Sequence, residues 1–270
     1  MIIDFHTHIF PPEVRERREE YARRDPTFAE MYADPKAKVA TAEELLASMD
    51  EAGVDVSVAL GFAWQDHRDI VRHNDYLLGS AAKSGGRIVP FATVNMAAAG
   101  AEAEIARCTE AGTRGLGELR PESQGWDLNG EAGRELGELA RSLGLILLFH
   151  VTEPGERIYP GRRGLESSVF REFVSQNQDL RVVGAHVGGG YYTNRGLRAA
   201  PHVDTAALSF LHPGDEGIEA LKRVPGHRIL FGSDFPLVAQ KRAMAELRRD
   251  APADCVEGAL GENARELLDI

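Results

Sequence analysis

Two histidines near the start of the chain, His6 and His8, are the first residues whose types and spacing could do chemistry. They lie in Ile2-Ile3-Asp4-Phe5-His6-Thr7-His8, an apolar run typical of a buried strand. Alternate side chains of a strand share a face, so we expect both imidazoles to point the same way. Two neutral imidazoles form half of a divalent-metal site, and a metal there could support hydrolysis or decarboxylation. An HxH pair alone is weak evidence for a metal site, because a lone histidine in a strand usually packs in the core or lies at the surface without binding a metal.

Polar side chains also end several later apolar runs. Leu145-Ile146-Leu147-Leu148-Phe149-His150 is one such run, and Ile229-Leu230-Phe231-Gly232-Ser233-Asp234 is another. Burying an imidazole or carboxylate there is costly unless the group has a partner. In a barrel of parallel strands the carboxyl ends converge on one mouth, so such groups would meet. Imidazoles with carboxylates suit zinc best, with manganese, iron or cobalt as alternatives. The candidate ligands are His6, His8, Glu118, His150, His186 and Asp234.

Eight short runs rich in Val, Ile and Leu alternate with segments of helical period. This alternation indicates repeated βα units around a parallel sheet. We therefore predict an α/β protein, a (β/α)8 TIM barrel formed as a single domain over residues 1–270. A doubly wound sheet is the alternative, but no GxGxxG follows the first run to bind a dinucleotide. The predicted strands are residues 2–8, 55–60, 87–93, 114–118, 145–150, 181–186, 203–207 and 228–234.

Residues 11–38 interrupt this alternation. The segment is dense in Arg and Glu, with little apolar periodicity beyond Phe28, Met31 and Tyr32. Connections that leave the carboxyl ends of barrel strands build the active-site face, so the segment is a candidate lid or homodimer contact. A solvated charged helix is the alternative. At the other end of the chain, residues 251–270 predict two short helices that close the barrel.

The overall charge limits the partners. The chain has 31 Lys and Arg against 42 Asp and Glu, a formal net charge of −11, which disfavours nucleic acid and anionic lipid. No apolar run approaches the roughly 20 residues that span a bilayer, and His6 lies too near the start for a removable signal peptide. We expect a cytoplasmic protein with a small-molecule substrate and no nucleic-acid or membrane partner. Cys108 and Cys255 are expected to be packed thiols.

Four motifs carry a family resemblance: Asp4-Phe5-His6-Thr7-His8, Phe149-His150-Val151-Thr152-Glu153-Pro154, Ala185-His186-Val187-Gly188-Gly189 and Phe231-Gly232-Ser233-Asp234-Phe235-Pro236. Together they resemble the amidohydrolase superfamily. Within it the chain is similar to the amidohydrolase-related (amidohydrolase 2) family, which includes aminocarboxymuconate-semialdehyde decarboxylase and its hydrolase relatives. The resemblance covers essentially the whole chain. It implies a distorted TIM barrel with a metal at its mouth, bound by His6, His8, His150 and Asp234.

The same resemblance leaves the number of metal ions open. It implies that His186 stands near the metal, to orient or protonate a substrate or to bind a second ion. Glu118, in Gly115-Leu116-Gly117-Glu118-Leu119-Arg120, departs from the decarboxylase pattern. It resembles the fourth-strand glutamate of the metal-dependent DNase branch, where that position is a metal ligand. A carboxylate there could bridge two metals or complete one site.

Metal-assisted hydrolysis of an amide, ester or lactone is the leading hypothesis. A bound ion would lower the pKa of its water toward about 7, and Asp234 would take the proton and later deliver it to the leaving group. His186 would polarise the scissile carbonyl. Arg120 could clamp a substrate carboxylate or form a surface ion pair. Trp64 could form a pocket wall or simply pack near the surface.

The second hypothesis is non-oxidative decarboxylation of an aromatic or unsaturated acid, with His186 or metal-bound water protonating the carbon that bears the carboxylate. Glu118 discriminates between the two. A metal-binding Glu118 favours hydrolysis, whereas a Glu118 that points away favours decarboxylation. A third hypothesis, a non-catalytic metal-binding barrel, is disfavoured by the complete ligand set. A nuclease is disfavoured by the net charge and the lack of a basic stripe.

Overall fold

Eight parallel strands form one sheet whose spatial order follows the chain. The structure is a computed structural model that describes residues 1–152, 160, 164–194, 197, 199–212 and 214–270. The sheet curls into a nearly closed barrel with helices between the strands, which confirms the predicted (β/α)8 fold. Its strands are β1 Ile3–His8, β2 Val56–Leu60, β3 Ile88–Ala92, β4 Gly115–Leu119, β5 Ile146–Phe149, β6 Arg181–Gly184, β7 His202–Asp204 and β8 Ile229–Leu230.

The barrel closes through the chain that follows β8, not through β8 itself. Phe5 N donates to Phe231 O at 2.7 Å, and Asp234 N donates to His6 O at 2.9 Å. His8 N then donates to Phe235 O at 2.7 Å. These bonds draw the segment after β8 along β1, so that Asp234 lies beside the HxH pair.

Helices cover the outside of the barrel, and their ends follow local sequence signals. In the helix Ala42–Ala52, for example, Thr41 and Glu44 form a capping box at the start, and Gly53 ends the helix with φ 72°. Val151–Thr152 and Leu165–Glu166 pair as a small second sheet. The helices are α1 Pro12–Glu16, α2 Arg18–Arg24, α3 Pro26–Tyr32, α4 Ala42–Ala52, α5 His67–Lys83, α6 Ala101–Glu110, α7 Pro121–Gln124, α8 Glu131–Leu143, α9 Ser167–Gln176, α10 Leu208–Leu211, α11 Glu216–Leu221, α12 Gln240–Asp250, α13 Ala253–Glu257 and α14 Asn263–Leu268.

Apolar side chains from six of the strands fill the barrel interior, among them Phe5, Phe91 and Leu148. Leu267 and Leu268 of α14 pack onto this cluster. The preceding turn lies so close to the start of β1 that a side chain at Gly261 would meet the carbonyl of Met1. The C-terminal helices therefore close the end of the barrel where the strands begin, as predicted.

The segment of residues 11–38 forms α1, α2 and α3 and is not a solvated charged helix. Its Tyr21 and Phe28 are buried in a cluster with Phe10, Phe62 and Trp64 of the barrel. Burial of large aromatic rings stabilises the position of the segment on the carboxyl-end face of the barrel. Its predicted roles as a lid or a homodimer contact stay predictions.

Three predicted strand ends are wrong by two residues or more. The prediction ran strand six to His186, strand seven to Ala207 and strand eight to Asp234, but β6 ends at Gly184, β7 at Asp204 and β8 at Leu230. These three residues lie instead in turns with positive φ, 57° at His186, 51° at Ala207 and 64° at Asp234. These turns take the chain out of the extended conformation, so the strand ladders end before the predicted residues. In the second resemblance motif, Glu153 and Pro154 lie outside the described residues.

Within the described part of the chain, no helix has both the length and the apolar character required to cross a bilayer.

Two helical glycines give a matched test of how closely the outer helices pack against neighbouring chain. A Cβ at Gly133 in α8 would lie 1.6 Å from Leu128 O, whereas a Cβ at Gly79 in α5 would meet nothing within 4 Å. We expect Gly133→Ala to lower the free energy of unfolding by about 1–3 kcal/mol or more through overpacking. Gly79→Ala should raise it by about 0.5–1 kcal/mol, because alanine is the better helix former. Urea unfolding of both variants measures this, and equal effects would contradict the described packing of α8.

Candidate metal centre

The two histidines of β1 converge, as the HxH spacing predicts. His6 Nε2 and His8 Nε2 lie 3.1 Å apart, and both side chains are buried. The pairing of β1 with β2 is irregular between Asp4 and Thr7, which does not prevent this convergence. The pair faces the mouth of the barrel.

Asp234 completes a first group of three donors. Its Oδ1 lies 3.7 Å from His6 Nε2 and 3.5 Å from His8 Nε2. The closing bond from Asp234 N to His6 O sets this approach. His6, His8 and Asp234 each offer one ligand atom within 4.8 Å of the others, so the group could hold a metal ion.

Glu118, His150 and His186 form a second group of three. Glu118 Oε1 lies 2.7 Å from His150 Nδ1 and 3.4 Å from His186 Nε2. The same carboxylate also reaches the first group, at 3.9 Å from His6 Nε2 and 3.8 Å from His8 Nε2. Glu118 therefore points into the site and joins the two groups. All six predicted ligands are brought together.

The sequence prediction missed Asp204, the last residue of β7. Its Oδ2 lies 2.8 Å from His6 Nδ1, and its Oδ1 accepts from His186 N and Ala206 N at 3.0 Å each. A carboxylate in this position fixes the orientation and tautomer of a metal-binding histidine. The prediction ran the seventh strand on to Ala207 and considered only its last residue. A buried carboxylate within so short an apolar strand was itself a signal, because such a group needs a partner.

The hydrogen bonds show why the cluster suits a cation. A carboxylate can only accept, so His6 Nδ1 carries the proton toward Asp204, and Nε2 of the neutral ring presents a lone pair. His186 Nδ1 likewise donates to Ala206 O at 3.0 Å, which turns the Nε2 lone pair toward Glu118. His150 Nε2 is buried without a hydrogen-bond partner among the described residues. Lone pairs thus face carboxylate oxygens, and a divalent cation satisfies both.

The charges at the site call for a compensating cation, either a proton on His6 or a metal ion in its place. Burial lowers the pKa of His6, but the carboxylates of Asp204, Glu118 and Asp234 outweigh it and raise the pKa to about 9. Burial likewise opposes ionisation of Glu118, yet His150, His186 and His6 hold the pKa of that carboxyl well below its usual range. Three carboxylates share this region, and positive charge must compensate them. The donor set therefore fits a divalent metal ion.

A cavity of about 350 Å³ opens above the cluster. Arg120 lines it and is only 2% exposed, so the alternative of a surface ion pair is wrong. Met31, Tyr32, Phe62, Leu211 and Leu237 contribute much of the remaining wall. A larger cavity of about 600 Å³ lies against α10, α11 and α12 and contains none of the six ligands.

Trp64 does not line the cavity above the metal-ligand cluster, contrary to the prediction that it forms a pocket wall. Its indole is 1% exposed and donates from Nε1 to His73 Nδ1 at 2.9 Å. The ring stacks on Phe28 at a centroid distance of 5.2 Å. Trp64 supports the segment of residues 11–38 from beneath, because the large apolar ring is better buried than exposed.

Fold and site together define a metal-dependent enzyme built on an α/β barrel. The sequence profile of the amidohydrolase family matches residues 3–270, and the chain belongs to that family. The resemblance inferred from the four motifs is thereby confirmed. No curated protein matches the sequence at a significant level.

Solved structures share the fold at low identity. A 5-carboxyvanillate decarboxylase from Novosphingobium aromaticivorans, complexed with manganese and 4-hydroxy-3-methoxy-5-nitrobenzoic acid, is 16% identical with a TM-score of 0.76, covering 100% of this chain and 96% of that one. A 2,6-dihydroxybenzoate decarboxylase from Rhizobium is 18% identical with a TM-score of 0.71, over 99% and 98%. A probable 2-pyrone-4,6-dicarboxylic acid hydrolase from Acinetobacter baumannii, with citric acid bound, is 14% identical with a TM-score of 0.68, over 100% and 99%.

Asp204→Asn tests the orienting role of this carboxylate. The amide keeps an oxygen for His186 N and Ala206 N but places an NH2 group against His6 Nδ1. We expect divalent-metal affinity to fall by about 10–100-fold, measured by chelator competition, with the melting temperature monitored in parallel. Asp179→Asn, at an exposed aspartate paired with Arg141, is the control and should bind metal as the unaltered protein does. An unchanged metal affinity in Asp204→Asn would contradict the role of Asp204 in orienting His6.

Proposed function

We propose that the protein is a metal-dependent decarboxylase that releases carbon dioxide from a small aromatic or unsaturated carboxylic acid without an oxidant. The observation that carries the proposal is the buried guanidinium of Arg120, which shares one cavity with the metal-ligand cluster. A guanidinium pairs well with a carboxylate. An acid with an apolar body therefore fits this cavity, because its carboxylate can pair with Arg120 and the metal site while its apolar part contacts the apolar wall.

The size of the cavity favours a small substrate. A volume of about 350 Å³ is near the lower end of the roughly 300–1,000 Å³ of small-molecule sites. Phe62, Leu211 and Leu237 offer flat or branched apolar surface, which suits a single planar ring. The two structurally similar decarboxylases act on substituted benzoic acids by their names, and this supports the same substrate class here.

A divalent ion bound by His6, His8 and Asp234, with Glu118 beside them, would supply positive charge that binds the anionic oxygens of the substrate and holds the acid in place. Arg120 orients the acid by pairing with an anionic oxygen. Burial lowers the pKa of His186, but the carboxylates of Glu118, Asp234 and Asp204 outweigh it and raise the pKa to about 10. The ring of His186 can therefore also take up a proton at Nε2, and this protonated form delivers that proton to the ring carbon that bears the carboxylate. The bond from that carbon to the carboxylate then breaks, its electron pair returns to the ring, and carbon dioxide leaves. Asp234, whose side chain is 15% exposed, relays the replacement proton from solvent.

The donor types limit which metal ion the site can bind. Imidazoles mixed with carboxylates suit manganese as well as zinc. The structure of one similar decarboxylase was determined with manganese, which supports manganese at least as well as the zinc expected from the sequence.

Hydrolysis is the second candidate, and one observation favours it. Glu118 points into the site and forms a complete second group with His150 and His186, the arrangement that the sequence argument associates with hydrolysis. A second ion there would help to activate water for attack on an ester or lactone carbonyl. Among the similar structures, one is a probable hydrolase.

Product analysis of the metal-loaded protein distinguishes the two reactions. With a panel of hydroxylated benzoic acids and matching lactones, we expect carbon dioxide and the decarboxylated arene from at least one acid. Asp234→Asn should lower kcat by about 10²–10⁴-fold, because it removes a proton-transfer group, while the melting temperature is retained. Asp254→Asn, at an exposed aspartate that does not line the cavity, is the control.

Two results would contradict the proposal. Lactone opening without carbon dioxide release would transfer the assignment to hydrolysis. Full decarboxylase activity in Asp234→Asn would exclude the proton-relay role given to this residue.

A further inference from the structure

We propose that Tyr32, the last residue of α3, is a substrate-binding residue whose phenol donates a hydrogen bond to an anionic oxygen of the acid that Arg120 binds. The kind of ligand rests on the proposed function, whereas the position of Tyr32 does not. The inference assigns the wall formed by residues 11–38 to substrate recognition.

The ring of Tyr32 is held firmly by three neighbouring aromatic side chains. Its centroid lies 5.4 Å from that of Phe10, 5.1 Å from that of Phe28 and 5.8 Å from that of Phe62. Arg18 Nη1 also donates to the carbonyl oxygens of Tyr32 at 3.2 Å and Asp34 at 2.6 Å. A ring fixed in this way places its hydroxyl reproducibly, at little entropic cost on binding.

The hydroxyl group of Tyr32 has an unusual environment. Tyr32 lines the cavity together with Arg120, Glu118 and Asp234, and its hydroxyl makes no hydrogen bond within the described part of the chain. In contrast, Tyr21 of the same segment donates from its hydroxyl to Glu13 Oε1 at 2.9 Å. Tyr32 is half-buried, and the hydroxyl of a tyrosine that is withdrawn from bulk water usually has a partner. A substrate oxygen in the cavity would provide one.

Burial makes Tyr32 a donor. It is the largest effect on the phenol and raises its pKa above the ordinary value. The phenol therefore stays protonated and can donate to an anionic oxygen. Because the guanidinium of Arg120 attracts such oxygens into the same cavity, the two groups can share one acid.

The neighbouring residue links Tyr32 to Arg120 physically. Met31 Sδ lies 2.9 Å from Arg120 Nη1, so consecutive residues at the end of α3 contact the guanidinium and face the reaction cavity. Methionine is a flexible, polarizable side chain that packs well around such a group. The end of α3 thus acts as one surface, with Met31 supporting Arg120 and Tyr32 facing the ligand.

Ligand binding tests the inference without depending on turnover. The probes are benzoate and 2-hydroxybenzoate, titrated by isothermal calorimetry into metal-loaded protein. We expect Tyr32→Phe to weaken binding of at least one probe by about tenfold or more, as for loss of a hydrogen bond to a charged group. Tyr21→Phe keeps its ring and lies outside the cavity wall, so it should bind both probes within twofold of the unaltered protein. Metal content and melting temperature of both variants should be unchanged.

The outcomes separate this inference from the proposed function. Binding in Tyr32→Phe within twofold of the unaltered protein overturns the inference, even if carbon dioxide is released from some acid. Binding that depends on Tyr32, without decarboxylation of any acid, supports the inference while the proposed function fails. If the unaltered protein binds neither probe at millimolar concentration, the inference is also overturned.

Discussion

The need to compensate buried negative charge at the barrel mouth governs the rest of the structure. Glu118, Asp204 and Asp234 surround four imidazoles that are almost fully withdrawn from water. Removing such charges from water is costly unless partners of opposite charge are close. In the neutral rings of His6 and His186 the Nε2 lone pairs face the centre of the cluster, so each ring can bind a metal ion there. A divalent cation is the partner that this geometry serves.

The backbone is arranged to bring these groups together from distant parts of the sequence. Asp4 is fully buried and accepts from Ser233 N at 2.9 Å and Ser233 Oγ at 2.5 Å. Gln240 Nε2 donates to the same carboxylate at 2.9 Å. These bonds tie β1 to the turn that carries Asp234, so the strand that supplies two histidines also fixes the position of the aspartate. The same hydrogen bonds therefore close the barrel and bring the metal-ligand residues together.

Much of this could be predicted from the sequence, because both the strands and the ligands follow local patterns. His8 ends its strand, Glu118 lies at the end of β4, and His150 directly follows β5. The turns that carry His186 and Asp234 could not be read in this way, since positive φ at a residue other than glycine depends on tertiary bonds. Trp64 was misplaced because a lone aromatic residue in a loop does not reveal which layer it packs into. Tyr32 needed the folded segment of residues 11–38 before its hydroxyl could be related to the cavity.

The central claim is that the cluster of six side chains, which comes from five strands and their adjoining turns, holds a divalent metal ion. Metal analysis of protein purified after metal-supplemented expression tests this most directly. The account predicts at least one equivalent of a transition metal in the unaltered protein and its loss when His6 and His8 are both replaced by alanine. Less than half an equivalent of any transition metal in the folded, unaltered protein would contradict it.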